Sequence, residues 1–298
     1  MSDTLVSISS PRSRLALTLE MIKFPHTVFA LPFALLSALI ARGGLPTARE
    51  TALILVAMAA ARSAAMTFNR IADRRLDAMN PRTSLRALPA GSLSVGFAAA
   101  FTAAAAALLV VAAWLLNPLA LKLSPLALLI LFTYSYTKRF TWASHFALGL
   151  SLAGAPLGAW VALTGRIDLP PLLLALAVLL WTAGFDIIYA CQDASFDRDH
   201  GLSSIPARFG VAPALKLSSL LHVGTVAVLF WLMPASPLGA VYAAGVVLAA
   251  ALLVYEHRLV SPTDLSRVDE AFFTVNGLVS VAILFFGALD LALAGWRS

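Results

Sequence analysis

The chain has 298 residues, 60% of them hydrophobic and only 12% charged, with a mean hydropathy of +0.87 and a net charge of +6. A soluble globular chain carries about a quarter charged residues, so a soluble domain is excluded, and the repeated apolar runs of about 20 residues have the length of membrane-spanning helices. The lone cysteine, Cys191, excludes an internal disulfide and a cysteine-based metal cluster. The positive charge is explained by membrane topology rather than by nucleic acid.

In chain order, the N-terminus shows no short apolar core ending in a small-residue cleavage site, so no removable signal peptide is expected. Residues 12–23 (RSRLALTLEMIK) read as an interfacial helix, and residues 1–23 as a cytoplasmic or interfacial segment leading into the first span. Nine spans follow, at about 24–42, 50–70, 93–116, 119–136, 143–164, 171–192, 212–233, 237–256 and 270–294. Only short polar or Pro/Gly stretches separate them, such as "ARGGLPTARE" and "TGRIDLPP". The expected class is therefore all-α and polytopic, because a backbone in lipid must satisfy its own hydrogen bonds, and residues 1–298 read as one domain.

Basic residues set the orientation. Of the 21 Lys and Arg, five (Arg42, Arg49, Lys122, Arg166 and Arg297) fall on one side, and the other 16 fall on the side of the N-terminus and the even-numbered loops. The positive-inside rule makes that second side cytoplasmic.

Two stretches concentrate charge there. The second span carries Arg62, then Asn69, Asp73 and Asp77; the sixth carries Asp186, then Asp193 and Asp197. Residues four apart share a helix face, so each set forms a polar stripe of carboxylates that repel one another unless a cation lies between them. Each stripe precedes a loop of basic and small hydroxyl residues, "NPRTSLRALPAG" and "DHGLSSIPARFG", which suggests that the two loops face each other across a shared cavity. Carboxylates on facing stripes suit Mg²⁺, which takes one or two carboxylates plus water and phosphate oxygens, and the nearby arginines and lysine suit phosphate. Arg62 and Asp186, about two turns inside their spans, are expected to pair with each other or with a bound anion, since charges within a membrane mark function. Tyr189, four residues before Asp193, shares its face.

The joint pattern resembles the UbiA superfamily of intramembrane prenyltransferases over nearly the whole chain. Its first signature, NxxxDxxxD, corresponds to Asn69, Asp73 and Asp77, continued by Arg82, Thr83, Arg86 and the "LPAG" at 88–91; its second corresponds to Asp193, Asp197 and Gly201. The stretch "YACQDASFDRDHGLSSIPARFG" is similar to the bacterial branch that prenylates aromatic acids for quinone synthesis. The resemblance implies a nine-helix bundle around a central cavity in the bacterial inner membrane, with its site on the cytoplasmic side. It implies Mg²⁺-dependent transfer of a polyprenyl group from its diphosphate to an aromatic acid: 4-hydroxybenzoate, for ubiquinone, or a dihydroxynaphthoate, for menaquinone. Carried over residue by residue, it assigns Asp73, Asp77, Asp193 and Asp197 to the metal and to catalysis, with Tyr189 shielding an allylic cation. Asn69, Arg62, Arg82, Lys138, Arg139 and Arg208 are assigned to substrate.

Two other readings compete. A CDP-alcohol phosphatidyltransferase wants DGxxAR, which "MTFNRIADRRLD" does not provide. A cation- or proton-coupled transporter would place its charges near the midplane on interrupted helices, whereas most acids here gather at one membrane face.

Overall fold

The computed structural model of the protein describes residues 14–22 and 29–295. Among them the chain is helical almost throughout. Helix α1 (Arg14–Met21) falls within the interfacial segment expected from the sequence, and Met21 and Ile22 at its end are buried in a cluster with Leu88, Leu93 and Ala98. The N-terminal segment is thereby docked on the loop that follows the first aspartate stripe.

The remaining elements are α2 (Leu31–Arg42), α3 (Ala48–Ala72), α4 (Arg74–Met79), α5 (Val95–Leu116), α6 (Pro118–Thr137), α7 (Ser144–Thr164), α8 (Leu169–Ala190), α9 (Ala194–Asp199), α10 (Ile205–Phe209), α11 (Val211–Trp231) and α12 (Ala240–Arg258), then a π-helical turn (Glu270–Val275) running into α13 (Asn276–Leu293). Among the described residues eight helices are long and apolar enough to cross a membrane, against the nine spans expected. The difference is the first span. Only α2 is described there, and its 12 residues reach about 18 Å at a rise of 1.5 Å per residue, short of a hydrocarbon core of about 30 Å. Residues 24–28 of that expected span lie outside the described residues.

Local chemistry explains where the spans begin. Thr47 and Glu50 form a reciprocal capping box at the start of α3, satisfying backbone donors that would otherwise be orphaned. Asn117 caps α6 by accepting from the amides of Leu119 and Ala120, and Pro118 fits the first turn, where no donor is needed. The same Asn117 amide donates to the Val161 and Ala162 carbonyls near the C-terminal end of α7, so one side chain ties the start of α6 to the end of α7.

The helices close on themselves around α7 and α8. α2, α7, α8, α11, α12 and α13 pack in sequence around one core, and α3, α5 and α6 build a second group against α7. α8 is the most buried span, with Trp181, Phe185, Ile187 and Ile188 inaccessible. Helices in lipid gain from close backbone approach at small residues. Gly149 of α7 illustrates this, since a Cβ there would stand 2.5 Å from the Leu179 carbonyl oxygen of α8.

Candidate active site

Asp73 ends α3 with φ −95° and ψ 5°, and Asp193 precedes α9 with φ −99° and ψ 5°. Both lie in the sparsely used bridge region, and each starts a helix of six residues, α4 or α9. The sequence predicts each pair of acids as a stripe on one continuous helix. Instead the regular helix is interrupted at Asp73 in the first pair and by a 3₁₀ turn, Cys191–Asp193, in the second, and the second aspartate of each pair lies on the short helix that follows. The Asp77 amide still donates to the Asp73 carbonyl at 2.7 Å. After the second pair, Gly201 at φ 67° supplies the left-handed residue that reverses the chain, and the Leu202 amide donates to the Asp197 carbonyl at 2.7 Å.

All four aspartates line one cavity between the two helix ends, together with Asn69, Arg62, Arg82, Lys138, Arg139 and Tyr189. Each carboxylate has a cation. Arg139 donates to Asp73 at 3.1 Å and Arg86 to Asp77 at 2.7 Å, with Arg70 3.9 Å from the second Asp77 oxygen. Arg82 clamps both oxygens of Asp193, its Nε at 3.1 Å, and Lys138 reaches Asp197 at 3.4 Å. Asn69 donates to Asp73 at 3.0 Å and Asn80 to Asp193 at 3.3 Å. Burial pushes the Asp73 carboxyl above its ordinary range, with the Arg139 hydrogen bond opposing and the nearby Asp77 charge adding to the rise. Burial works against the charge of Lys138, but Asp197, Asp186 and Asp193 outweigh it and hold the ammonium above its usual value.

One wall is aromatic. Tyr189 lies 4.2 Å, centroid to centroid, from Phe272, and the Arg82 guanidinium stands 5.4 Å from the centre of the Tyr189 ring while donating to its hydroxyl at 3.2 Å. Deeper in the same cavity are Arg62 and Asp186. The partner of Asp186 is His145, whose Nδ1 lies 2.6 Å from a carboxylate oxygen, and not the expected Arg62. The Ile205 amide donates to His145 Nε2 at 3.3 Å, which leaves Nδ1 carrying the hydrogen that goes to Asp186. α10 thus brings its first amide to the imidazole that holds Asp186.

Arg208 is the one expected ligand that does not line this cavity. It lies exposed on α10, its guanidinium 5.6 Å from the centre of the Phe209 ring. Sequence reasoning assigned no role to Arg70, Asn80 or His145. Arg70 and Asn80 were legible as neighbours of the first stripe, one turn from Asp73 or Asp77, whereas His145 is joined to Asp186 only by packing of α7 on α8.

The donor set fits a hard divalent cation. The Oδ2 atom of Asp77 is buried without a hydrogen bond among the described residues, an arrangement that is costly unless a cation completes it. No three His, Cys, Asp or Glu side chains among the described residues converge on one point. An ion here would take one or two carboxylates and draw the rest of its shell from water and phosphate.

The model of the UbiA prenyltransferase family matches residues 30–278. The chain belongs to that family. A 4-hydroxybenzoate octaprenyltransferase of Vibrio cholerae is 31% identical over 245 residues, covering 82% of this chain and 86% of that one, and its namesake in Nitrosococcus oceani is 30% identical over 90% and 93%. Among solved structures, the apo structure of a UbiA homolog from Aeropyrum pernix K1 superposes with a TM-score of 0.81 at 38% identity, covering 89% of this chain and 98% of that one. A UbiA homolog from Archaeoglobus fulgidus, bound to GPP and Mg²⁺, shares the fold at a TM-score of 0.75 and 20% identity, over 93% and 99%. The protein is accordingly an enzyme of the UbiA family, with prenyl transfer as its reaction.

Proposed function

We propose that this UbiA enzyme transfers a polyprenyl group from a polyprenyl diphosphate to 4-hydroxybenzoate, in a Mg²⁺-dependent reaction at the cytoplasmic face of the bacterial inner membrane. The observation that carries the reading is the joint placement of the two aspartate pairs and the basic side chains around one cavity whose other walls are apolar and aromatic. A diphosphate head on an apolar tail needs that combination. The name of the Vibrio and Nitrosococcus relatives supports the acceptor, and the ligands of the Archaeoglobus homolog support the donor class and the metal. The excess of Lys and Arg on one side supports the cytoplasmic orientation.

Asp73 and Asp77 on one side of the cavity and Asp193 and Asp197 on the other would hold Mg²⁺, each ion taking one or two of these carboxylates, with Asn69 orienting Asp73. When bound, the metal supplies neutralisation of the diphosphate charge, which makes it a competent leaving group. Arg82, Lys138 and Arg139 bind the diphosphate oxygens, exchanging part of their contact with the carboxylates for contact with phosphate. The allylic C–O bond breaks and its electron pair leaves with the diphosphate. A ring carbon of the acceptor then attacks the allylic carbon, and the ring proton is lost. Tyr189 turns its ring face to the cation. Leu148, Leu152 and Met66 keep water from it, which would otherwise capture it as the alcohol. Arg62, deeper in the cavity, binds the acceptor carboxylate. At about 260 Å³ the cavity is smaller than usual small-molecule pockets, so a long isoprenoid chain leaves it between helices into lipid, where each methylene contributes about 0.8 kcal/mol.

The test uses membranes carrying the protein, a labelled polyprenyl diphosphate, and 4-hydroxybenzoate or a dihydroxynaphthoate in parallel. Labelled prenyl-hydroxybenzoate, abolished by EDTA and restored by Mg²⁺, is the expected result. Product only from the naphthoate would move the acceptor to the menaquinone branch, and no turnover of the donor would overturn the reading.

A further inference from the structure

Away from the acids, a polar cluster is buried where α8, α12 and the start of α13 meet. Trp181, Glu256 and Asn276 are inaccessible. The Asn276 amide oxygen accepts from the Trp181 indole N–H at 2.6 Å, and its NH₂ group donates to Glu256 Oε1 at 2.8 Å, to the Ala271 carbonyl at 3.0 Å and to the Phe272 carbonyl at 3.3 Å. Those two carbonyls belong to the π-helical turn Glu270–Val275. A π turn interrupts the regular ladder of an α-helix and is uncommon outside functional sites, and in a bundle core its freed carbonyls need donors. Asn276 supplies them. The other Glu256 oxygen stands 3.6 Å from His222 Nδ1, so α11 closes the cluster from its far side.

The turn held in this way carries Phe272 and Phe273, both of which line the active-site cavity. Phe272 lies 4.2 Å from Tyr189 and 5.2 Å from Phe185, the latter edge to face at 87°, and Phe273 lies 4.6 Å from Phe272 at 84°. Trp181 packs in turn on Phe185 at 4.9 Å. Both ends of Asn276 therefore reach the aromatic wall, through the π turn on one side and through Trp181 on the other.

We propose that Asn276, anchored by Glu256 and Trp181, is a positioning residue that fixes the π turn so that Phe272 and Phe273 close the cavity wall beside Tyr189 and keep water from the allylic cation. The inference rests on the prenyl-transfer reading. The cation has two fates. A new C–C bond to the acceptor ring, with loss of the ring proton, gives product. A new C–O bond to water, with loss of a water proton, gives prenyl alcohol. Diphosphate leaves in both, so the ratio of alcohol to ring product reports the wall while total diphosphate release reports the ionisation machinery.

The experiment combines amide hydrogen exchange across residues 270–276 with measurement of diphosphate, alcohol and ring product, for the wild type, Asn276→Leu, Glu256→Leu and Glu256→Gln. Asn276→Leu removes the side-chain donor from the buried Ala271 carbonyl and the half-buried Phe272 carbonyl and is expected to speed exchange in the turn by about tenfold. It should raise the alcohol-to-product ratio by a similar factor, with diphosphate release changed less than about threefold. Glu256→Leu should do the same more weakly, and it decides the matter if Asn276→Leu does not fold. Glu256→Gln keeps the accepting oxygen and should restore wild-type partition. Phe272→Leu, which keeps the bulk and loses the ring, should reproduce the partition without loosening the turn. Unchanged exchange in both leucine variants overturns the positioning role. Faster exchange with an unchanged alcohol ratio overturns the link to the wall, as does an equal loss of diphosphate release and ring product without alcohol. If the wild type consumes no donor, the reading of function fails, and the exchange data alone decide whether Asn276 holds the turn.

Discussion

Asp73 and Asp193 take the same backbone conformation, one at the end of α3 and one at the end of the 3₁₀ turn that follows α8, and Asp77 and Asp197 each lie on the short helix that comes next. In supply of positive charge the two halves differ. The first half is self-sufficient in part, because Arg70 and Arg86, from its own helix and its own loop, both approach Asp77. The second half takes its cations from elsewhere. Arg82 crosses from the first loop to Asp193, and Lys138 arrives from the end of α6 to Asp197, while its own Arg198 and Arg208 lie exposed and away. A repeat that places carboxylates alike thus need not share out their partners alike. The second half is electrostatically dependent on the first, and Arg82 is the strut between them.

The largest effects are expected where the halves are equivalent. Asp77→Asn and Asp197→Asn each replace a buried carboxylate by an amide that cannot take a full share of a metal's charge. Each should lower the rate of diphosphate release by about a thousandfold, and EDTA on the wild type should abolish turnover until Mg²⁺ is returned. Rate measurements that find one variant crippled and the other near normal would show that only one half carries the metal.

Next in size is the strut itself. Arg82→Ala frees Asp193 and withdraws a guanidinium from the diphosphate, for a loss of about a hundredfold in kcat/KM. Arg82→Lys restores a charge but not the two-pronged grip on Asp193, so it should recover only part of the loss. Arg86→Ala should cost less, about tenfold, because Arg70 remains beside Asp77. Equal losses for Arg82→Ala and Arg86→Ala would mean that the two halves are served equally after all.

This asymmetry also marks where the sequence stops being informative. Eight of the nine expected spans appear within a few residues of their helices because apolar length is a local property. The aspartates, Asn69 and Tyr189 were legible because their four-residue spacing survives the interruption at Asp73 and Asp193. The interruption itself was not, since nothing in "IADRRLD" or "CQDASFD" breaks a helix by propensity. Partners across elements were not legible either. His145 reaches Asp186 from 41 positions away and Arg82 reaches Asp193 from 111, and only the packing of α7 and the first loop on α8 sets those distances. Arg208 was not legible for a related reason. Its loop parallels that of Arg82 and Arg86, and Leu202 of that loop does line the cavity, but α10 leaves the Arg208 side chain exposed outside it.

The smallest expected effect is therefore the sharpest check on the comparison. Arg208 contacts the Phe209 ring on an exposed surface, an arrangement that contributes about 0.5–1 kcal/mol to stability. Arg208→Ala should lower stability by no more than that and leave kcat/KM within about twofold of wild type. Steady-state kinetics with a polyprenyl diphosphate, run beside Arg82→Ala, give the contrast directly. A loss of tenfold or more in Arg208→Ala, confined to KM for the donor, would mean that the second loop swings in when diphosphate binds. The two halves would then converge in the substrate complex, and the one-sided supply of charge would belong only to the enzyme at rest.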